Sequence, residues 1–211
     1  MSATHQPSLF EDADDVVRSA DISGIPGLQY VTDFIDRVQQ DELLRDLDAQ
    51  PWLTDLKRRV QHYGYKYDYK ARRIDQSMRM GALPKWAIRV AEDLVQRGLM
   101  PERPDQLIVN EYQPGQGIAP HVDCVPCFTE TIVSLSLGSA CIMNFANKQT
   151  ALVVPLLLNP GSLVILKGES RYNWTHGIAS RKSDDFQGKS ITRRRRVSLT
   201  FRKVILAVTG D

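Results

Sequence analysis

Cysteine and histidine are scarce in this chain, with 3 and 4 among 211 residues. Cys124, Cys127 and Cys141 are too few for the disulfide framework of a small secreted domain, and a chain of this length buries enough apolar surface to fold without one. Long apolar runs are missing too. None nears the roughly 20 residues of a membrane span, and no basic segment followed by an apolar one opens the chain, so neither an anchor nor a secretory signal is expected. A reducing intracellular compartment, the cytoplasm, is the expected location. Charge of neither sign dominates: 27 Lys and Arg oppose 25 Asp and Glu, a net of +2. That balance conceals clusters of basic residues at 57–73 and 193–203, which suit an anionic ligand better than the total does.

Hydrophobic residues make up 42% and charged residues 25%, ordinary values for a globular domain. Residues 1–25 are polar and acidic without periodicity and are expected to form a loose leader; 26–211 read as one domain. An apolar stretch at 28–35 leads to a helix in which Asp36 and Gln39 form a capping pair, and Val38, Leu43, Leu44 and Leu47 mark the buried stripe up to Pro51. A second helix begins near Pro84, buries Ala87, Val90, Ala91, Leu94 and Val95, and stops at Gly98. From 107 the period falls to two. Strands are predicted at 107–112, 131–137, 140–145, 151–157, 162–166 and 194–206, punctuated by Gly138, Asn147, Asn159-Pro160-Gly161 and Gly168. Helices followed by closely spaced strands predict an α+β fold with a sandwich or jelly-roll core.

Tyr63, Tyr65, Tyr67 and Tyr69 alternate between Lys57-Arg58-Arg59 and Arg72-Arg73. As a strand or hairpin this segment would carry all four rings on one face, where aromatic faces stack on bases while basic side chains meet phosphates. Packing of the rings over the sheet is the competing expectation.

The chemistry concentrates in His121-Val122-Asp123 and in His176. Residues i and i+2 of an extended strand face the same way, so one imidazole and one carboxylate reach a single metal. A distant histidine completes a two-histidine, one-carboxylate triad that leaves positions open for a cosubstrate and O₂. The segment Arg196-x-Ser198-x-Thr200-x-Arg202, with Arg194 before it, sets a polar row on one face and Val197, Leu199 and Phe201 on the other. Without partners such an inward row would cost several kcal/mol; a dicarboxylate supplies them, because guanidinium pairs bidentately with carboxylate. A solvated basic edge is the competing expectation, above all for Arg193 to Arg195. Cys124-x-x-Cys127 lacks further zinc ligands and spans Pro126, so the pair is expected to line the loop above the metal, with no disulfide or zinc role.

These motifs, with Asn110-x-Tyr112-x-x-Gly115, Ser134-x-Ser136-Leu137-Gly138 and Ser170-Arg171 ahead of His176-Gly177-Ile178, resemble those of the AlkB-family Fe(II)/2-oxoglutarate dioxygenases over roughly residues 25–205. The resemblance implies a double-stranded β-helix of the jelly-roll or cupin type, with N-terminal helices and a nucleotide-recognition lid. It implies His121, Asp123 and His176 as Fe(II) ligands and catalytic residues. It assigns 2-oxoglutarate to Asn110, Tyr112, Arg196, Ser198 and Arg202, while the tyrosine-rich, basic segment offers Arg59, Tyr65, Tyr67 and Arg72 as the expected substrate contacts. The implied reaction consumes O₂ and 2-oxoglutarate and hydroxylates a C–H bond; on an N-alkyl carbon this removes the alkyl group from a base in DNA or RNA. The likeness is strongest to the oxygenase domain of the tRNA-modifying AlkB homologue and to single-domain bacterial relatives, so hydroxylation of a wobble uridine in tRNA is the alternative, and action on protein or lipid a further one. Two positions depart from the family pattern: Ser198 stands where asparagine is usual, and Val125 where the demethylating branch often has an acid. A monomer with a nucleic-acid partner and no membrane partner is expected.

Overall fold

Apolar residues recur at every second position through the C-terminal half, and the chain there pairs strand with strand. In the computed structural model, which describes residues 19–22, 24–54 and 56–206, the strands are β1 (Ser19–Asp21), β2 (Leu28–Val31), β3 (Arg59–Tyr63), β4 (Gln106–Tyr112), β5 (Ile118–His121), β6 (Ile132–Gly138), β7 (Cys141–Asn147), β8 (Val153–Leu158), β9 (Leu163–Leu166), β10 (Trp174–Ile178), β11 (Ser183–Phe186), β12 (Lys189–Thr192) and β13 (Arg196–Arg202). An antiparallel seven-stranded sheet runs β1-β2-β9-β6-β13-β4-β3 and faces a four-stranded sheet ordered β5-β10-β7-β8, while β11 and β12 form a separate hairpin. With helices on the outer face of the large sheet, this is the expected α+β jelly roll.

Two apolar layers hold it. Val109, Leu135, Ile165, Val197, Leu199 and Phe201 pack the outer face of the large sheet against α1 (Arg37–Asp48) and α2 (Lys85–Gln96). Ile132, Val164 and Leu166 meet Met143, Phe145, Leu158 and Trp174 between the sheets. The Asp36 carboxylate accepts from Gln39 N at 2.8 Å and Gln39 Oε1 from Asp36 N at 3.0 Å, the expected capping box. Val38 is 65% exposed, however, and Gln40 takes the buried place beside Leu43 and Leu47, because the stripe follows the cap. Pro84 is the N-cap of α2, which starts at Lys85, beside Pro84 as expected. A five-residue helix, α3 (Gly168–Tyr172), precedes β10. Among the described residues no helix is long and apolar enough to cross a membrane.

The expected leader lies mostly outside the described residues; of its described part, Ser19–Asp21 pairs with β2, and Ile25 is buried between the sheets. The last strand pairs from Arg196 to Arg202 and excludes Arg194, which is exposed. Arg193 and Arg195 are not a solvated patch: Arg193 grips buried Asp184 at 2.6 and 2.7 Å, and Arg195 reaches Glu111 and Asp48.

The tyrosine segment corrects the single-face expectation. β3 ends at Tyr63, and Gly64 turns the chain at φ +78°, so the alternation loses its phase. Tyr63 packs edge-on against Trp86, Tyr65 is buried between the sheets, and only Tyr67 and Tyr69 reach the cavity described below. Lys66 N donates to Met78 O and Met80 N to Gly64 O, closing 64–80 into a flap. A Cβ at Gly64 would lie 1.8 Å from the Asp105 carbonyl oxygen. Gly64→Ala is therefore expected to destabilise the protein by about 2 kcal/mol or more in urea unfolding; an unchanged midpoint would refute the tight approach.

Candidate active site

β5 and β10 pair antiparallel with His121 directly opposite His176, and their ring centroids stand 4.5 Å apart. Gly177 permits this approach, since a Cβ there would sit 2.9 Å from Pro120 Cα. Asp123 does not share a strand with His121 as the i, i+2 reading required, because β5 stops at His121. Its backbone is fastened instead by the buried Arg171 guanidinium, which donates to the carbonyls of Asp123 at 2.9 Å and Cys124 at 3.2 Å. The two carboxylate oxygens are divided. Oδ1 accepts from Arg202 Nη2 at 2.8 Å, while Oδ2 faces His176 Nε2 at 3.9 Å.

One ligand atom from each of His121, Asp123 and His176 lies within 4.8 Å of the others. Burial alone would raise the Asp123 pKa, but Arg202, His176, His121 and Arg171 outweigh it and hold the carboxyl well below its usual range. His176 is lowered to about 4, mainly by burial and then by His121, so it is neutral at pH 7 and able to ligate. His121 Nδ1 lies 2.9 Å from the Ala119 carbonyl, which can only accept; the proton is thus on Nδ1 and Nε2 is left for a metal. Two nitrogens and one oxygen suit a divalent ion of the iron type with positions open on the cavity side.

That cavity, about 290 Å³, runs from the triad to the inner face of the large sheet. Register builds its floor: β13 lies between β4 and β6, so Ser198 pairs with both Asn110 and Ser136, and Arg196 with Tyr112. Arg196, 3% exposed, donates from Nη2 to Ser136 Oγ at 3.0 Å and lies over the Tyr112 ring, yet its Nε and Nη1 have no partner. Buried donors of this kind fit an anionic oxygen of a ligand. Arg202 Nη1 donates to Gln106 Oε1 and its plane covers Phe128, at the metal end. Asn110 Oδ1 accepts from Arg58 Nε at 2.8 Å, which turns the amide nitrogen away from Arg58.

Of the residues expected to touch substrate, Tyr67 and Arg72 line the cavity; Arg59 and Tyr65 do not. Arg59 is held on the other face of β4 by Glu111 at 2.6 and 2.7 Å, and Tyr65 is buried between the sheets. Arg58 and Tyr69 take those places. Tyr69 is half-buried, its hydroxyl buried without a partner, and it meets Tyr67 edge-on at 5.0 Å. The alternation of tyrosines signalled an aromatic wall but not which rings form it. Arg171 stood in the motif ahead of His176 with no role attached, and only the fold shows what it holds.

Cys124 lines the cavity as expected, but Cys124 and Cys127 are joined as a disulfide, contrary to expectation. The 3₁₀ turn Val125–Cys127 around Pro126 brings their Cα atoms to 5.3 Å, within bridging range. The turn taken to separate them is what unites them.

Comparison with known proteins adds three kinds of likeness. The profile of the 2OG-Fe(II) oxygenase superfamily matches residues 27–202. The chain is 40% identical over 200 residues to a tRNA (carboxymethyluridine(34)-5-O)-methyltransferase of Xenopus tropicalis, a match that covers 85% of this chain and 32% of that protein, so the chain spans about a third of that relative. It is 36% identical to the uncharacterized protein L905 of Acanthamoeba polyphaga mimivirus, covering 85% of each, and 26% identical to a probable RNA/DNA demethylase of Danio rerio, covering 85% and 86%. The solved structure of OsALKBH1 superposes with a TM-score of 0.68 at 20% identity, over 88% of this chain and 99% of that one.

Arg171 gives the test of this geometry. Arg171→Met should keep the volume and the fold but release the Asp123 and Cys124 carbonyls. Affinity for Mn(II), followed by electron paramagnetic resonance, is expected to fall by roughly 10- to 100-fold. Unchanged affinity would mean that Arg171 serves packing alone.

Proposed function

The chain belongs to the 2OG-Fe(II) oxygenase superfamily, among AlkB-type relatives, and we propose that it hydroxylates, and so oxidatively dealkylates, alkylated bases in DNA or RNA. As a member it is a dioxygenase that uses Fe(II), 2-oxoglutarate and O₂. One observation carries the site assignment: Arg196, buried with two unpartnered nitrogens, shares a cavity with a converging His121, Asp123 and His176. Uridine hydroxylation in tRNA is the second reading. It is favoured by the 40% and 38% identities to relatives named for carboxymethyluridine in tRNA, against 26% for the demethylase.

In this reading His121 Nε2, Asp123 Oδ2 and His176 hold the metal. Arg196 pairs with one 2-oxoglutarate carboxylate, with Tyr112, Ser198 and the Asn110 amide around it. Arg202 keeps Asp123 ionised and closes the metal end of the cosubstrate site. When bound, the iron supplies reductive activation of O₂ coupled to decarboxylation of 2-oxoglutarate, with succinate, CO₂ and one hydroxylated C–H bond as products. Phe128, Ile118, Met143 and Ile132 line an apolar wall that limits water beside the reacting carbon. Tyr67 and Tyr69 offer ring faces and edges to a base presented at the flap. A hydroxylated N-alkyl carbon is an unstable hemiaminal, which loses that carbon as an aldehyde and leaves the base restored. A cytoplasmic setting keeps iron ferrous, and its reducing poise would also favour Cys124 and Cys127 as thiols.

Mass spectrometry decides between the readings. After aerobic incubation with Fe(II), ascorbate and 2-oxoglutarate, alkylated oligonucleotides are expected to lose the adduct. Gain of one oxygen on a tRNA uridine with the adducts untouched would establish the second reading, and no change in either would refute both. His121→Ala and Asp123→Ala should abolish succinate formation while circular dichroism stays that of the parent; succinate at the parental rate would sink the site.

A further inference from the structure

The cavity walls carry an unbalanced charge. Four guanidiniums line it, those of Arg58, Arg72, Arg196 and Arg202, against the single carboxylate of Asp123. Loading does not restore balance, because Fe²⁺ and the 2-oxoglutarate dianion cancel each other. Four positive charges less one negative leave an excess of three beside the place where a base must enter. Among the described residues no nearby acid compensates. Glu111 points to the other face of β4 and is closed off by Arg59 and Arg195. The acids of the flap are turned into it: Asp68 accepts from the Lys70 and Ala71 backbone, and Asp75 from Ser77.

Arg72 is the outermost of the four and is held there deliberately. Its backbone is left-handed, at φ +52°, a conformation that non-glycine residues adopt rarely and mostly at sites where something else fixes them. One hydrogen bond and one contact place it. Its Nη2 donates to the Val122 carbonyl at 3.3 Å, within the His121-to-Asp123 segment, and its carbonyl oxygen lies 3.1 Å from the disulfide sulfur of Cys124, which has no proton to donate. Among the described residues no carboxylate pairs with this exposed guanidinium.

We propose that the base accepted here is uncharged or bears a negative group, that a base with a fixed positive charge is rejected, and that Arg72 makes the distinction. The proposal rests on the nucleobase reading of the site. A cation entering the cavity would shed water and find like charges in place of a counter-ion, the exposed Arg72 at the entrance and the buried, weakly screened Arg196 and Arg202 beyond it. A neutral base loses nothing to that field, and a carboxylate on the base would pair with the Arg72 N–H groups left over by the Val122 carbonyl and the Tyr67 hydroxyl.

Two methylated adenines differ in charge, and the Arg72 variants separate that charge from the difference in methyl position. RNA oligomers of one sequence would carry, at one central position, 1-methyladenine with its fixed positive charge, N6-methyladenine without one, or 5-carboxymethyluridine. Binding to the full chain would be followed by fluorescence anisotropy with Mn(II) and 2-oxoglutarate, where no turnover intervenes. The neutral isomer is expected to bind at least about tenfold more tightly than the cationic one. Arg72→Gln should collapse that ratio, chiefly by improving the cationic oligomer, whereas Arg72→Lys should preserve it. Equal or tighter binding of 1-methyladenine would overturn the proposal, and so would an Arg72→Gln that weakens all three equally, which would mark Arg72 as a phosphate contact. Turnover with Fe(II) separates the two levels. Oxidation of the cationic base alone refutes the charge selection and leaves a nucleobase enzyme; oxidation of no base, in these oligomers or in total tRNA, takes both down.

Discussion

Everything at the site depends on the alternation of a single strand held between two others. In β13, Val197, Leu199 and Phe201 are fully buried against the helices, while Arg196, Ser198, Thr200 and Arg202 point into the cavity. Both neighbours fix the register: Ser198 faces Asn110 on one side and Ser136 on the other. A slip of one residue would drive two guanidiniums into the apolar layer under α1 and α2 and turn Phe201 toward the metal. The cost of burying unpaired charge there far exceeds anything local propensity could offset. The packing that stabilises the outer layer is therefore the same constraint that aims the cosubstrate row.

The metal half is built by the other sheet, and a buried ion pair joins the halves. Asp123 follows β5 of the small sheet; Arg202 ends β13 of the large one; they meet at 2.8 Å. Taking both charges out of water is costly, and such pairs contribute little to stability on balance. What the pair does contribute is position. It occupies Oδ1 and leaves Oδ2 toward His176, while Arg171 fixes the same residue through its carbonyl. Four cationic or imidazole neighbours, Arg202, His176, His121 and Arg171, thus hold one carboxylate ionised, and two of them, Arg202 and Arg171, orient it before any ion arrives.

How much of this was legible in the sequence follows from which interactions are local. Strands such as 107–112 and 131–137 declared themselves, because apolar residues alternate on faces buried from both sides. The capping pair Asp36 and Gln39 was readable for the same reason, as both partners lie within one turn. β5 and β10 were not read as strands: one is four residues long and contains Pro120, the other contains Gly177, and their pairing is forced by contacts far apart in the chain. The tyrosine row failed at Gly64, whose positive φ is imposed by the neighbouring Asp105 carbonyl rather than by any nearby residue. The three donors of the metal cluster were found by residue type and order; the strand geometry first used to unite His121 and Asp123 was not the one that does so.

The arginines show most clearly why composition and site electrostatics part company. In a chain of net charge +2, acids and bases are almost equal in number, but they are paired unequally in space. Glu111 takes Arg59 and Arg195, Asp184 takes Arg193 and Arg181, and Asp48 shares Arg195, all outside the cavity. Arg59 and Arg58 are adjacent, yet the pleat sends them to opposite faces of β4, one to Glu111 and one to the Asn110 amide. Carboxylates are thereby consumed outside the cavity, Glu111 and Asp48 on the outer side of the large sheet and Asp184 in the hairpin, and the inner face keeps guanidiniums of which only Arg202 meets a carboxylate and Arg196 keeps two unpartnered nitrogens. A cavity of strong positive charge inside a nearly neutral protein is thus a product of strand alternation, because neighbouring residues of like charge are sorted to different partners by the direction their side chains must take.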